Sequence, residues 1–279
     1  VRLVDSHCHL QSDRFDRDVD AVVERARIAG VERILVPGWD LASSRRAVEL
    51  VERIPWLDAA VGIHPHDAGR AGAGDWTEVE RLAHDPRVLA IGETGLDYDR
   101  VFSPITVQLA NLRRHLALAL ELGKPAILHV RSPAGRRDAQ DAIVDELARE
   151  GFGTDSCRER FGSRPPGVVH SFSGPVDYAR AVLDLGLAIS ISGLAFRVAE
   201  GATADVVPIV PFDRLLVETD APFLTPPGGP KGRNEPATVA ITAGWVAERS
   251  SEPAGTGGDT FVAAYDTTFP RLTASASRT

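Results

Sequence analysis

One rhythm runs the length of the chain: a short apolar run, a polar loop, an amphipathic stretch of helical spacing, then another apolar run. The apolar runs fall at residues 3–4, 33–36, 58–63, 88–91, 125–128, 168–169, 187–191 and 214–217. Residues 15–29, 43–54, 75–84, 105–122, 134–150, 176–185 and 237–250 carry the helical pattern. In the first of these, Val19, Val22, Val23 and Ala26 fall at helical spacing, and Gly30 stops the helix. Strands alternating with helices in this way argue for parallel pairing through right-handed crossovers. Eight strands in 279 residues fit one α/β domain, a closed (β/α)8 barrel of the TIM type over residues 1–279. A doubly wound open sheet is the alternative.

Two stretches depart from the rhythm. Residues 151–167 are long, with Gly, Pro, charged residues and an apolar Phe161, and read as an excursion before the sixth strand. Residues 226–236 are Gly/Pro-rich and carry Lys231, Arg233 and Glu235 directly after the eighth strand, where barrels keep substrate contacts. The tail from about residue 273 is small and polar and is expected to fray.

Metal-binding residue types collect at the C-terminal ends of strands. His7 and His9 follow the first strand, His64 and His66 the third, Glu93 the fourth, His129 the fifth, His170 the sixth and Asp220 the eighth. A lone histidine is most simply a hydrogen-bonded core or surface residue. Six of eight histidines on the functional face of a barrel make a different case, since only His84 and His115 fall on helices. On extended backbone, residues two apart face the same way, so His7 and His9 can both enter the mouth while Cys8 points away into packing. Imidazoles with carboxylates suit divalent ions such as zinc, manganese or cobalt. A Glu in such a set can bridge two metal ions, and Asp220 can bind one ion and accept the proton of an attacking water. Glu93 and Asp220 are therefore the expected catalytic carboxylates.

The net charge of -8 means that a phosphate-bearing substrate would need a local cationic site, which bound metal would itself supply. Arg131, Arg136, Arg137, Lys231 and Arg233 could add a phosphate track; Arg136 and Arg137 are more simply placed on an outward helix face, and Arg131 has the better claim. No apolar stretch approaches the ~20 residues that a membrane span requires. Two cysteines, Cys8 and Cys157, and no recognisable leader lead to the expectation of a cytoplasmic protein without disulfides.

The chain resembles the TatD-type metal-dependent deoxyribonucleases, within the wider amidohydrolase-like barrels. The resemblance lies in Asp5-Ser6-His7-Cys8-His9-Leu10, Gly62-Ile63-His64-Pro65, Gly92-Glu93-Thr94-Gly95-Leu96-Asp97-Tyr98 and His129-Val130-Arg131. It continues in His170-Ser171-Phe172-Ser173-Gly174, Glu218-Thr219-Asp220-Ala221-Pro222 and Arg233-Asn234-Glu235-Pro236, so that it covers roughly residues 3–245 in the family's order. It implies the same barrel and the hydrolysis of phosphodiester bonds in DNA, often from the 3′ end. It also implies two divalent ions (Zn, Mn, Mg or Co), one on His7, His9 and Asp220, the other on His129 and His170, with Glu93 bridging. His64 would lie near the substrate phosphate, with Arg131 and Arg233 as further substrate-binding candidates. The excursion at 151–167 is longer than the family leads one to expect and could reshape the mouth near His170. Residues 252–272 match poorly, with a Gly-rich interruption at 255–258 and no Asn near Thr267 or Thr268.

Three functions are compatible with these residues. The first is a two-metal phosphodiesterase, a DNA exonuclease; the second is a hydrolase of a small amide, phosphoester or lactone on the same site. The third is a non-catalytic binding protein that keeps metal to order its loops. Native metal, substrate and oligomeric state are not fixed by the sequence.

Overall fold

The computed structural model describes residues 1–251 and 257–271. Eight parallel strands pair in sequence order: β1 (Leu3–Asp5), β2 (Val31–Pro37), β3 (Leu57–Val61), β4 (Val88–Asp97), β5 (Ala126–Arg131), β6 (Gly167–Val169), β7 (Ala188–Ile191) and β8 (Leu215–Val217). The circle closes between the last strand and the first. Ser6 N–H donates to the Val217 carbonyl at 3.0 Å, Asp220 N–H to His7 at 2.9 Å and His9 N–H to Ala221 at 2.7 Å. This is the (β/α)8 barrel expected from the strand count, and it leaves no exposed sheet edge. Both faces of the sheet are covered, which is why β1, β3, β4 and β8 are buried along their whole length, the polar Asp5, Asp58, Glu93, Thr94 and Asp97 included.

The outer helices are α1 (Val19–Ile28), α2 (Leu41–Arg53), α3 (Ala73–Ala83), α4 (Ile105–Leu122), α5 (Asp138–Arg149), α6 (Asp155–Phe161), α7 (Val176–Asp184), α8 (Thr203–Val206), α9 (Val239–Ala247) and α10 (Gly257–Thr268). Local chemistry sets several ends. Asp40 caps α2 by accepting from Ser43 N–H at 2.7 Å, and Gly123 ends α4 in the left-handed conformation, φ 63°. The helix expected over 15–29 starts only at Val19, because Ser12 caps a separate short 3-10 turn at Asp13–Phe15.

Two expectations are corrected. The excursion at 151–167 contains α6 and enters β6 from its N-terminal end. Arg160 there donates to the carbonyls of Leu120 and Glu121 at the end of α4, so the insertion braces the face opposite the mouth and does not reshape the surroundings of His170. The Gly-rich stretch does not prevent a last helix, since α10 forms from Gly257 onward; residues 252–256 lie outside the described residues, as does the tail from 273. Helix α10 is tied down by Tyr265, whose hydroxyl donates to Oδ2 of buried Asp58 at 2.9 Å. Among the described residues, no helix is long and apolar enough to cross a membrane.

Candidate metal centre

Strand β4 makes the centre of the site. Its register against β5 slips between Ile91 and Thr94: Ile91 pairs with Ala126 and Thr94 with Leu128, so β4 spends one residue more than its partner. Such a bulge re-aims a side chain, and the side chain inside this one is Glu93. Two glycines permit it. Gly95, at φ 143°, packs so closely on β5 that a Cβ would run into the His129 carbonyl, and Gly92, at φ 139°, faces Ile127 in the same way.

The two oxygens of Glu93 face different groups. Oε2 lies 3.3 Å from Nε2 of His7 and 3.5 Å from Nε2 of His9, and Asp220 Oδ1 stands 3.4 Å from that same His9 nitrogen. Oε1 lies 2.8 Å from Nε2 of His170, 3.2 Å from Nδ1 of His129 and 3.3 Å from Nε2 of His64. Glu93 is buried, which opposes its charge, yet the imidazoles of His170, His64 and His7 hold its carboxyl well below the usual carboxylate range. Asp220 sits at φ 51°, a left-handed conformation that Asp tolerates, with its N–H on the His7 carbonyl at 2.9 Å.

The second nitrogen of each ring sorts the histidines. Nδ1 of His9 lies 3.2 Å from the Pro37 carbonyl, Nδ1 of His170 3.2 Å from Oε1 of Glu218, and Nε2 of His129 3.4 Å from Oδ2 of Asp97. Carbonyls and carboxylates only accept, so each of these rings puts its N–H outward and presents a lone pair to the centre. His64 is reversed. Its Nδ1 accepts the His66 N–H at 3.1 Å, so in the neutral ring the proton is on Nε2, the nitrogen that faces Glu93. Burial pulls its pKa down to about 3, which keeps the ring neutral. Nε2 of His7 and Nε2 of His9 stand only 3.2 Å apart beside two carboxylates. Lone pairs converging from imidazoles onto carboxylate oxygens suit a divalent cation, so the donor set fits metal.

Of the residues singled out in the sequence, His7, His9, His64, Glu93, His129, His170 and Asp220 come together around this centre. Cys8 is buried, with Sγ 3.8 Å from the Ala221 carbonyl and away from the cluster. His66 bonds Asp97 Oδ2 at 2.6 Å beside the site. Arg131 is exposed and pairs with Asp99 at 2.8 Å. Arg233 stands apart: its guanidinium grips both oxygens of Asp18 at 2.7 Å and Glu235 at 2.9 Å, and covers the Phe15 ring. Arg136 pairs with Asp138, and Arg137 with Asp141 and Asp177, on the exposed surface. Asp97 and Glu218 lay inside quoted motifs without a role. Each backs a histidine, and Glu218 also accepts from Ser171 N–H at 2.7 Å and its hydroxyl at 2.8 Å.

A parallel barrel with an imidazole–carboxylate centre at its C-terminal mouth defines the class of metal-dependent barrel hydrolases. Comparison with known proteins agrees. The family model described as TatD related DNase matches residues 4–269. A Bacillus subtilis protein named "Uncharacterized metal-dependent hydrolase YabD" is 38% identical over 247 residues, 88% of this chain and 90% of its own. The "3'-5' ssDNA/RNA exonuclease TatD" of Klebsiella pneumoniae is 35% identical over 257 residues, 89% of this chain and 92% of its own. Among solved structures, YJJV, a TatD homolog from Escherichia coli, superimposes with a TM-score of 0.84 at 29% identity, covering 96% of this chain and 98% of that one. The chain belongs to the TatD-related DNase family and is a metal-dependent hydrolase.

Proposed function

We propose that the protein hydrolyses phosphodiester bonds in DNA as an exonuclease, using two divalent cations (Zn, Mn, Mg or Co). The observation that carries this reading is the division of Glu93, with one oxygen toward His7 and His9 and the other toward His129 and His170. His7, His9 and Asp220 would hold one ion, His129 and His170 the other, and Glu93 would touch both. Ions bound there would supply a Lewis acid for a phosphoryl oxygen and lower the pKa of water. Asp220, at the open edge of the cluster, accepts the proton of the attacking water. His64, whose Nε2–H faces Glu93, would offer that proton to a substrate oxygen bound beside Glu93, and Arg131 offers the guanidinium nitrogens that Asp99 leaves free to a neighbouring phosphate. The name of the Klebsiella relative, an exonuclease on single strands, supports this substrate class.

A second reading has its own support. The net charge of -8 and the carboxylate partners of Arg131 and Arg233 weaken any phosphate track, which favours a compact ester or amide on the same site. The test is hydrolysis of a single-stranded oligonucleotide, and of compact phosphoester, lactone and amide substrates, before metal removal, after it and after add-back. Oligonucleotide cleavage lost on removal and restored by add-back is expected. Turnover confined to the compact substrates, or cleavage that persists after verified metal removal, would overturn the proposal.

A further inference from the structure

We propose that Phe102 and Phe223 are stacking platforms for the nucleobases on either side of the cleaved bond, an inference that rests on the nucleic-acid reading above. Both rings are exposed beside a buried site, Phe102 at 65% and Phe223 at 51%. They flank opposite ends of the cluster. Phe223 meets His9 edge-on with centroids 6.2 Å apart, on the Oε2 side of Glu93. Phe102 meets His66 edge-on at 4.8 Å, and His66 in turn meets His64, on the Oε1 side.

Neither ring hangs on a slack loop. Next to Phe102, Ser103 is buried; its hydroxyl donates to the His66 carbonyl at 2.9 Å and accepts from Gly69 N–H at 2.9 Å, while Gln108 holds its carbonyl at 2.8 Å. On the other flank Val101 is held at φ 48°, an unusual conformation for a β-branched residue. Phe223 donates its N–H to the Asp220 carbonyl at 2.8 Å and accepts from Asn234 Nδ2 at 2.8 Å, and Leu224 follows at φ 49°. The backbone thus fixes two apolar rings that the fold does not bury. Among the described residues, no aromatic ring stacks parallel on either one, and Arg14 lies over Phe223 at 5.7 Å without a carboxylate partner. A fixed, exposed ring beside an arginine is how proteins hold unpaired bases without reading their sequence.

The experiment uses wild-type, metal-loaded protein with two fluorescent phosphorothioate oligomers of equal length, one carrying bases and one abasic. Anisotropy titration should show the base-bearing strand bound at least about tenfold more tightly. Phe102→Leu and Phe223→Leu, which keep apolar bulk but remove the ring, should each weaken that strand about tenfold and leave the abasic strand unchanged. Phe102→Trp should restore binding. Equal affinity of wild type for the two strands, or equal weakening of both by the Leu substitutions, would overturn the platforms while leaving the nuclease reading intact. Absence of binding to either strand would overturn both.

Discussion

The N–H of His66 donates to Nδ1 of His64 at 3.1 Å, and that bond turns His64 from a lone-pair donor into a proton donor toward Glu93. His64 therefore differs in kind from His9, His129 and His170, whose second nitrogens face acceptors. His64→Phe should leave metal content unchanged and lower turnover by about 10²–10³, the usual cost of removing one aligned donor. Elemental analysis beside steady-state kinetics tests this; loss of one ion per chain would make His64 a ligand.

Asp97 accepts from His66 at 2.6 Å and stands 3.4 Å from His129, so it orients a proposed ligand without touching the centre. Asp97→Asn should weaken metal affinity about 10–100-fold with the fold intact. Calorimetric metal titration of stripped protein is the measurement, and wild-type affinity in the variant would remove Asp97 from this positioning role.

Asp220 and Glu93 should fail differently. Asp220→Asn keeps a carbonyl oxygen that can ligate but cannot take a proton, so turnover should collapse while most of the metal is retained. Glu93→Gln removes the charge facing both groups and should lower occupancy itself. Two ions per chain in Glu93→Gln would argue against bridging.

Metal removal should abolish hydrolysis and leave the far-ultraviolet circular dichroism unchanged, because the cluster sits above a closed apolar core. The melting temperature should fall, since an ion that binds only the folded chain stabilises it by mass action. Unfolding on chelation would show instead that the metal is a structural requirement.

Salt dependence separates the two arginines. Oligonucleotide binding by metal-loaded Asp220→Asn protein should weaken with salt by roughly -0.7 in log–log slope per phosphate contact. Arg131→Ala should reduce the slope by about one contact. Arg233→Ala should leave the slope unchanged and lower the melting temperature, because its guanidinium joins the β8 loop to Asp18 ahead of α1.

The barrel was legible because its strands are buried on both faces and its helices on one, so period and length separate them. The boundary that mattered most was not. The apolar run of the fourth strand ends at Ile91, which puts Glu93 after the strand, whereas β4 runs on to Asp97 with Glu93 in a bulge. Glycine in a sequence signals freedom of backbone, and only the neighbouring strand shows that at Gly92 and Gly95 it serves close packing. The cluster itself was visible because ligand types recur at strand ends. Asp97 and Glu218 were assigned no role because a carboxylate behind a histidine has no fixed spacing from it. The exposed pairing of Arg131 and the occupied fork of Arg233 depend on Asp99 and Asp18, which sequence offers no reason to pair with them.

The hydrogen bonds that close the circle, His9 to Ala221 and Asp220 to His7, join positions more than two hundred residues apart. One proposed metal position is built across that seam, from the chain's first ten residues and the loop after its last strand. During synthesis His7 and His9 leave the ribosome long before Asp220 exists. A nascent chain therefore lacks that half of the proposed centre until the eighth strand has emerged and docked, and a fragment stopping short of residue 220 would lack Asp220 for the same reason. On the proposed assignment, the hydrolase stays inactive until its last strand is in place.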